Sequence, residues 1–257
     1  MPTVLITGCS SGFGQATARL FHDRGWQVVA TMRTPSPDAL PASDRLRILA
    51  LDITDAASIA RAVADAGPID ALVNNAGFGA PVPVELTPVE TADALFRTNT
   101  LGTLAMTQAV MPQFRARRAG VVVNVSSSVT LRPLPLVGLY RASKAALDAW
   151  TTSLAAEIEP LGLRARLVLP GRSPETRFGD NARAHLLGLD HPDYGPMIAT
   201  VLAGFRDTDA PVTHATEVAD AIWRAVTDPA APMRIPAGAD AEAWMAEAEG
   251  ARAVPPR

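Results

Sequence analysis

Lysine is nearly absent from this chain. Of 23 basic residues in 257, the one lysine is Lys144, and arginine supplies the rest. Tyrosine is almost as scarce, with only Tyr140 and Tyr194. A single cysteine, Cys9, excludes an intrachain disulfide. It sits in a glycine-rich stretch, which suits a small residue filling tight space better than a reactive thiol. The four histidines, His22, His185, His191 and His214, share no metal-ligand spacing with each other or with Cys9, so no metal is expected. The net charge of −3 lacks the concentrated positive charge that nucleic acid or an anionic membrane requires. The densest basic run, Arg115, Arg117 and Arg118, suits a helix C-terminus. No apolar run reaches the length of a membrane span, and no cationic and apolar leader precedes the first strand pattern. Cytoplasm is therefore the expected compartment.

What is present is a strict alternation. Short apolar runs at 3–8, 27–32, 47–53, 69–77, 121–127, 163–171 and 233–238 read as strands. Between them, 12–24, 55–66, 88–118, 137–160 and 216–227 carry apolar residues at helical spacing. Strands that are Val, Ile and Leu almost throughout belong to a parallel sheet covered on both faces. The expected fold is α/β: a single doubly wound Rossmann-type domain with a parallel seven-stranded sheet and helices on both faces. Residues 1–250 form that dinucleotide-binding and catalytic domain, and 251–257 a flexible tail. The Pro-, Gly- and Asp-rich stretch 172–212 breaks the rhythm and reads as an inserted substrate lid.

Directly after the first strand comes "TGCSSGFG", with glycines at 8, 12 and 14. Gly8 permits a sharp turn, Gly12 a close approach to a pyrophosphate, and Gly14 close packing of helix on strand. The following helix N-terminus attracts the anion. Ser10, Ser11 and Phe13 complete the expected contact surface. At the end of the second strand no Asp or Glu is available for a ribose hydroxyl, and Arg33 stands there instead. Arginine pairs with a 2′-phosphate, so NADP(H) is expected in preference to NAD(H).

The spacing of this turn resembles the TGxxxGxG motif of the short-chain dehydrogenase/reductase family. Further matches follow in order: "NNAG" at 74–77, Asn99, "VSS" at 125–127, "YRASK" at 140–144 and "PG" at 170–171. The wording is most similar to the branch that includes 17β-hydroxysteroid and retinol dehydrogenases. The resemblance implies that Asp52 and Ile53 contact the adenine, that Asn75, Ala76 and Gly77 lie along the cofactor, and that Pro170 and Gly171 border the nicotinamide. "PGRSPET" carries one residue more than the family's PGxxxT, which moves the expected threonine contact to Ser173. The family also implies a homodimer or homotetramer built on the helices at 88–118 and 137–160.

Tyr140 and Lys144 lie four apart and share one face of a helix. A fixed ammonium favours phenolate, so Lys144 is expected to lower the Tyr140 pKa towards working pH and make it a general acid and base. Ser127, at the position of the family's serine, would hold the carbonyl oxygen. By resemblance, Asn99 holds a water and relays protons to Lys144. Leu131, Leu134 and Leu136 before the tyrosine, with Tyr194 and Met197 of the lid, are the expected substrate pocket. The expected activity is interconversion of a small, lipophilic carbonyl compound and its alcohol. The alternatives are an NADP(H)-binding sensor or scaffold without turnover, and a non-redox enzyme on the same scaffold.

Overall fold

The structure, a computed structural model, describes residues 1–205 and 210–253. Val-, Ile- and Leu-rich runs form seven strands: β1 (Thr3–Thr7), β2 (Gln27–Met32), β3 (Leu46–Ala50), β4 (Ala71–Asn74), β5 (Val121–Val125), β6 (Arg164–Pro170) and β7 (Arg234–Ala237). All pair in parallel, in the order β3-β2-β1-β4-β5-β6-β7. The helices are α1 (Gly12–Asp23), α2 (Ala56–Ala66), α3 (Val89–Phe96), α4 (Thr103–Arg117), α5 (Gly138–Ile158), α6 (Phe178–Arg183), α7 (Gly195–Phe205), α8 (Ala215–Thr227) and α9 (Ala239–Ala253). Winding reverses between β1 and β4, which leaves a crevice at the C-terminal ends of those strands.

The sheet separates two cores. On one face Val4, Ile6, Phe21, Val28, Val123 and Val168 pack with Val218 and Ile222 of α8. On the other, Leu5, Val29, Leu72 and Val122 pack with Ile59 of α2 and with Met106, Val110 and Phe114 of α4. A polar ladder fixes α4 and α5 to the sheet. Asn74 Nδ2 donates to Asn124 Oδ1 at 2.9 Å and to Thr107 Oγ1 at 3.0 Å, and Asn124 Nδ2 donates to Thr151 Oγ1 at 2.8 Å.

Several boundaries differ from those read in the sequence. β3, β4 and β5 end earlier, at Ala50, Asn74 and Val125, with one further ladder bond from Ser126 N to the Val168 carbonyl at 2.8 Å. The helix expected over 88–118 is split by a π-helical turn, Arg97–Gly102, that contains Asn99. The stretch 172–212, read above as a lid, holds α6 and α7, with residues 206–209 outside the described residues. α9 was not expected. It runs to Ala253, three residues into the stretch read as a tail, and 254–257 lie outside the described residues.

Candidate active site

The glycine turn leaves β1 at Gly8, whose φ is +75°. A Cβ on Gly14 would lie 2.3 Å from the Gly8 carbonyl oxygen, so α1 packs against the turn only with glycine there. Asn75 ties the end of β4 to this turn, donating from Nδ2 to the carbonyls of Thr7 (2.9 Å) and Gly8 (3.1 Å). The first turn of α1 contains no acid, and Ser11 at its N-cap makes no side-chain cap bond. The N–H groups there remain available to an anion. Ser10 is exposed, and Ser11 and Phe13 are half-buried. Buried Cys9 donates to the Ile6 carbonyl, and burial pushes its thiol up to about 12, so it is inert.

Arg33 is exposed just beyond β2, and Asp52 follows β3 beside it. The Asp52 carboxylate accepts from Thr54 Oγ1 (2.7 Å) and Thr54 N (2.9 Å). Those bonds, with a smaller contribution from Arg33, hold its pKa below the usual carboxylate range. Ile53 is buried, and the chain returns at Gly102 against its carbonyl.

α5 brings the reactive side chains together. Tyr140 and Lys144 are buried one turn apart, and Ser127 is buried where β5 ends. The Ser127 hydroxyl lies close enough to the Tyr140 phenol to lower its pKa, and it accepts from Val129 N at 3.3 Å. Lys144 Nζ donates to the Val125 carbonyl at 2.8 Å. Asn99 Oδ1 accepts from Phe78 N at 3.0 Å, while its Nδ2 donates to Phe78 O (2.9 Å) and Ser143 Oγ (3.0 Å). A Cβ on Gly77 would stand 2.9 Å from Asn99 Oδ1 and 3.4 Å from Lys144 Nζ. Gly77 therefore keeps open the gap between amide and ammonium. Ser143, unassigned in the sequence reading, bridges Asn99 to α5, and the Thr100 hydroxyl also donates to its carbonyl.

The electrostatics correct one expectation. Tyr140 is not lowered in the free protein: burial pushes its pKa up to about 12, against a smaller opposing effect of the Ser127 hydroxyl. Lys144 is itself lowered to about 8 by burial, opposed by the charge of Asp148. Asp148 lies one further turn along α5, buried, and burial raises its pKa. Loss of hydration thus outweighs attraction between these groups.

Pro170 closes β6, and Gly171 follows with Arg172 and Ser173. Ser173 Oγ is buried without a hydrogen-bond partner among the described residues. Thr176 packs over the glycine turn, 3.3 Å from where a Gly12 Cβ would be.

Tyr140 packs in an apolar cluster with Ala80, Val82 and Leu95, flanked by Phe78, Val129 and Val137. The lid contributes Phe178, whose ring lies 5.6 Å from that of Tyr140. Leu131 and Leu134 are half-buried. Leu136 is buried with φ +66°, and its carbonyl accepts from Val82 N at 2.8 Å. The Tyr194 hydroxyl donates to the Glu85 carboxylate and braces α7, while Met197 is half-buried on the same helix. Phe178, one of the apolar side chains that the sequence offers in 172–212 for a pocket, is thus the one in ring contact with Tyr140.

Residues 2–186 match the family model described as short chain dehydrogenase. A 3-ketodihydrosphingosine reductase from Bacteroides thetaiotaomicron is 33% identical over 239 residues, 91% of this chain and 87% of that protein. Human retinol dehydrogenase 8 is 34% identical, over 82% of this chain and 70% of its own. The crystal structure of a short-chain dehydrogenase from Streptomyces avermitilis superposes with a TM-score of 0.83 at 29% identity, covering 98% of this chain and 93% of that one. Similar structures hold different nucleotides. One from Burkholderia cenocepacia is in complex with NADP (26% identity, TM-score 0.77, 99% of this chain and 98% of that one). A 3-ketoacyl-(acyl-carrier-protein) reductase from Brucella melitensis is complexed with NADH (26%, 0.75, 91% and 96%).

Proposed function

The chain belongs to the short-chain dehydrogenase family of oxidoreductases, and on that premise we propose that it interconverts a lipophilic ketone or aldehyde and its alcohol, using NADP(H). The observation that carries this reading is the burial of Tyr140 together with Ser127 and Lys144, with the tyrosine packed against the apolar group Ala80, Val82 and Leu95. The site residues fit a nicotinamide dinucleotide. The glycine turn with the uncapped start of α1 suits the diphosphate, Arg33 suits a 2′-phosphate, and Asp52 and Ile53 flank the adenine side. Asn75, Ala76, Gly77, Pro170 and Gly171 line the path between, and Ser173 Oγ has a hydrogen bond to give. The bound nicotinamide supplies or accepts the hydride.

The chain's own residues manage the oxygen and its proton. In reduction, a phenol near 12 keeps its proton throughout neutral pH and gives it to the oxygen as charge develops there. Ser127 accepts from Val129 N, so its own proton is free to donate to the same oxygen. The Lys144 ammonium spends one proton on Val125 O and keeps two for ribose hydroxyls and for the gap beside Gly77. Asn99 faces that gap and completes the relay to solvent. In oxidation Tyr140 must first ionise, and the Lys144 charge then favours the phenolate.

Sensing without turnover is disfavoured by the retention of Tyr140, Ser127 and Lys144 in one buried group. The reading includes a cytoplasmic homodimer or homotetramer built on α4 and α5, which sedimentation tests. The activity is tested by NADPH oxidation across aliphatic and aromatic ketones and aldehydes. Tyr140→Phe is expected to lower kcat/KM by about a thousandfold with cofactor affinity unchanged. Full activity in that variant would overturn the mechanism.

A further inference from the structure

Asp240 is a buried carboxylate that the chemistry above does not use. It stands at the start of α9, and both its oxygens are engaged. Oδ2 accepts from Arg172 N at 2.6 Å, and Oδ1 faces Thr213 Oγ1 at 2.7 Å. Thr213 is fully buried, and its hydroxyl oxygen in turn accepts from Gly171 N at 2.9 Å. Thr213 N donates to the Arg172 carbonyl at 2.7 Å. The Thr213 hydroxyl has one proton and two acceptors in reach, Asp240 Oδ1 and Ala237 O at 2.8 Å. The charged acceptor is the stronger of the two.

These bonds gather distant pieces of chain. Arg172 and Thr213 are the two ends of the lid, Gly171 borders the nicotinamide site, and Asp240 belongs to the segment after β7. A Cβ on Gly171 would lie 2.1 Å from Asp240 Oδ1, 2.2 Å from Oδ2 and 2.3 Å from Cγ. The carboxylate occupies the space that any side chain at 171 would need. Asp240 and Gly171 are thus two halves of one fit.

We infer that Asp240 is a positioning residue: through Thr213 and the Gly171–Arg172 amides it clamps both ends of the lid to one point and holds the Pro170–Gly171 segment against the cofactor. The inference rests on the cofactor site described above and not on the identity of the carbonyl substrate. A lid tied at both ends to a fixed carboxylate moves without dragging the cofactor-contacting segment with it. Loosening the clamp therefore weakens cofactor retention rather than proton transfer.

Three measurements test it. Amide hydrogen exchange on the cofactor-free protein reads the clamp directly. The Gly171 and Arg172 amides should exchange slowly in the native chain, and at least about tenfold faster in Asp240→Asn and in Thr213→Val. Nicotinamide fluorescence titration should show cofactor Kd raised about tenfold in both, with single-turnover hydride transfer at saturating cofactor changed less than about threefold. The third is a double-mutant cycle. Gly171→Ala should weaken cofactor binding at least about tenfold in the native background, but less than about threefold once Asp240→Ala has removed the clashing atoms. Equal effects of Gly171→Ala in both backgrounds would overturn the fit. Unchanged exchange and Kd in Asp240→Asn and Thr213→Val would overturn the clamp. If Asp240→Asn does not fold, Thr213→Val and Thr213→Ser decide the matter, because only the serine keeps the hydroxyl.

Discussion

Replacing Lys144 by methionine should remove a rise in stability that the native chain shows at alkaline pH. Burial lowers the Lys144 pKa from 10.5 to about 8 in the folded chain. Between those values the unfolded chain binds the proton and the folded chain does not. Native stability attributable to Lys144 must therefore rise with pH across that window. At pH 7 the buried ammonium costs about 3 kcal/mol relative to the unfolded chain, from about 1.4 kcal/mol per pKa unit. About 2 kcal/mol of that cost is recovered by pH 9.5. Lys144→Met also strands the Val125 carbonyl that Nζ bonds, a loss of about 1–3 kcal/mol. The difference at a single pH is consequently small, and the pH slope is the informative quantity. Urea unfolding of cofactor-free protein from pH 7 to 9.5 should show the native chain gaining about 2 kcal/mol on Lys144→Met. Asp148 opposes the lowering, so Asp148→Asn should shift the rise to lower pH. Activity should move the other way, with reduction weakening as pH climbs through about 8 and the ammonium loses its charge. A flat or falling stability difference would refute a buried, easily discharged Lys144.

Two other perturbations probe the ends of the site. Arg33→Ala should raise the NADPH Kd by about tenfold or more and leave the NADH Kd nearly unchanged, in line with loss of a charge-assisted bond to a 2′-phosphate; equal effects on both nucleotides would remove Arg33 from that role. Phe178→Ala withdraws the ring that lies 5.6 Å from Tyr140 and should raise kcat/KM for bulky ketones relative to small ones by about tenfold, at constant cofactor Kd. Gly79→Ala, whose Cβ would fall 2.8 Å from the Phe178 ring, should shift the preference in the same direction by displacing it, and an unchanged substrate profile in both variants would show that the ring does not bound the pocket.

The sheet was legible because its strands are buried on both faces and therefore read as uninterrupted apolar runs. The glycine turn and "YRASK" were legible because each holds its chemistry within a few consecutive residues. Features that depend on contacts between distant segments were not. The π-helical turn at Asn99 has no local signature, since no proline or glycine interrupts 97–101 and α3 and α4 read as one helix across it. α9 is rich in alanine and glutamate, which favour helix, but its weakly amphipathic sequence gave periodicity little to register. The upward shift of Tyr140 was missed for a related reason. Spacing places a cation one turn away, but it does not report how completely water is excluded. Phe178 and Asp240 gain their roles only when the lid and the end of the chain fold back on "NNAGFG" and "PG".

Burial also accounts for lysine rather than arginine at position 144. Tyr140, Ser143, Lys144, Leu147, Asp148 and Thr151 are all buried on α5, so the reactive groups occupy the stripe a helix normally gives to its core. Where arginines are partly buried in the sheet, as Arg164 and Arg166 are on β6, several carbonyls share the charge. Position 144 offers one carbonyl, a narrow gap beside Gly77 and no solvent. A guanidinium there would need five donors satisfied and would hold its charge at any accessible pH. An ammonium needs three, and its pKa falls to about 8 on burial. The same desolvation that makes the lysine costly to fold leaves its charge responsive to Asp148 and to a phenolate at Tyr140. Arginine at this position would keep the charge and lose that response, so Lys144→Arg should be nearly as inactive as Lys144→Met while lacking the native rise in stability with pH.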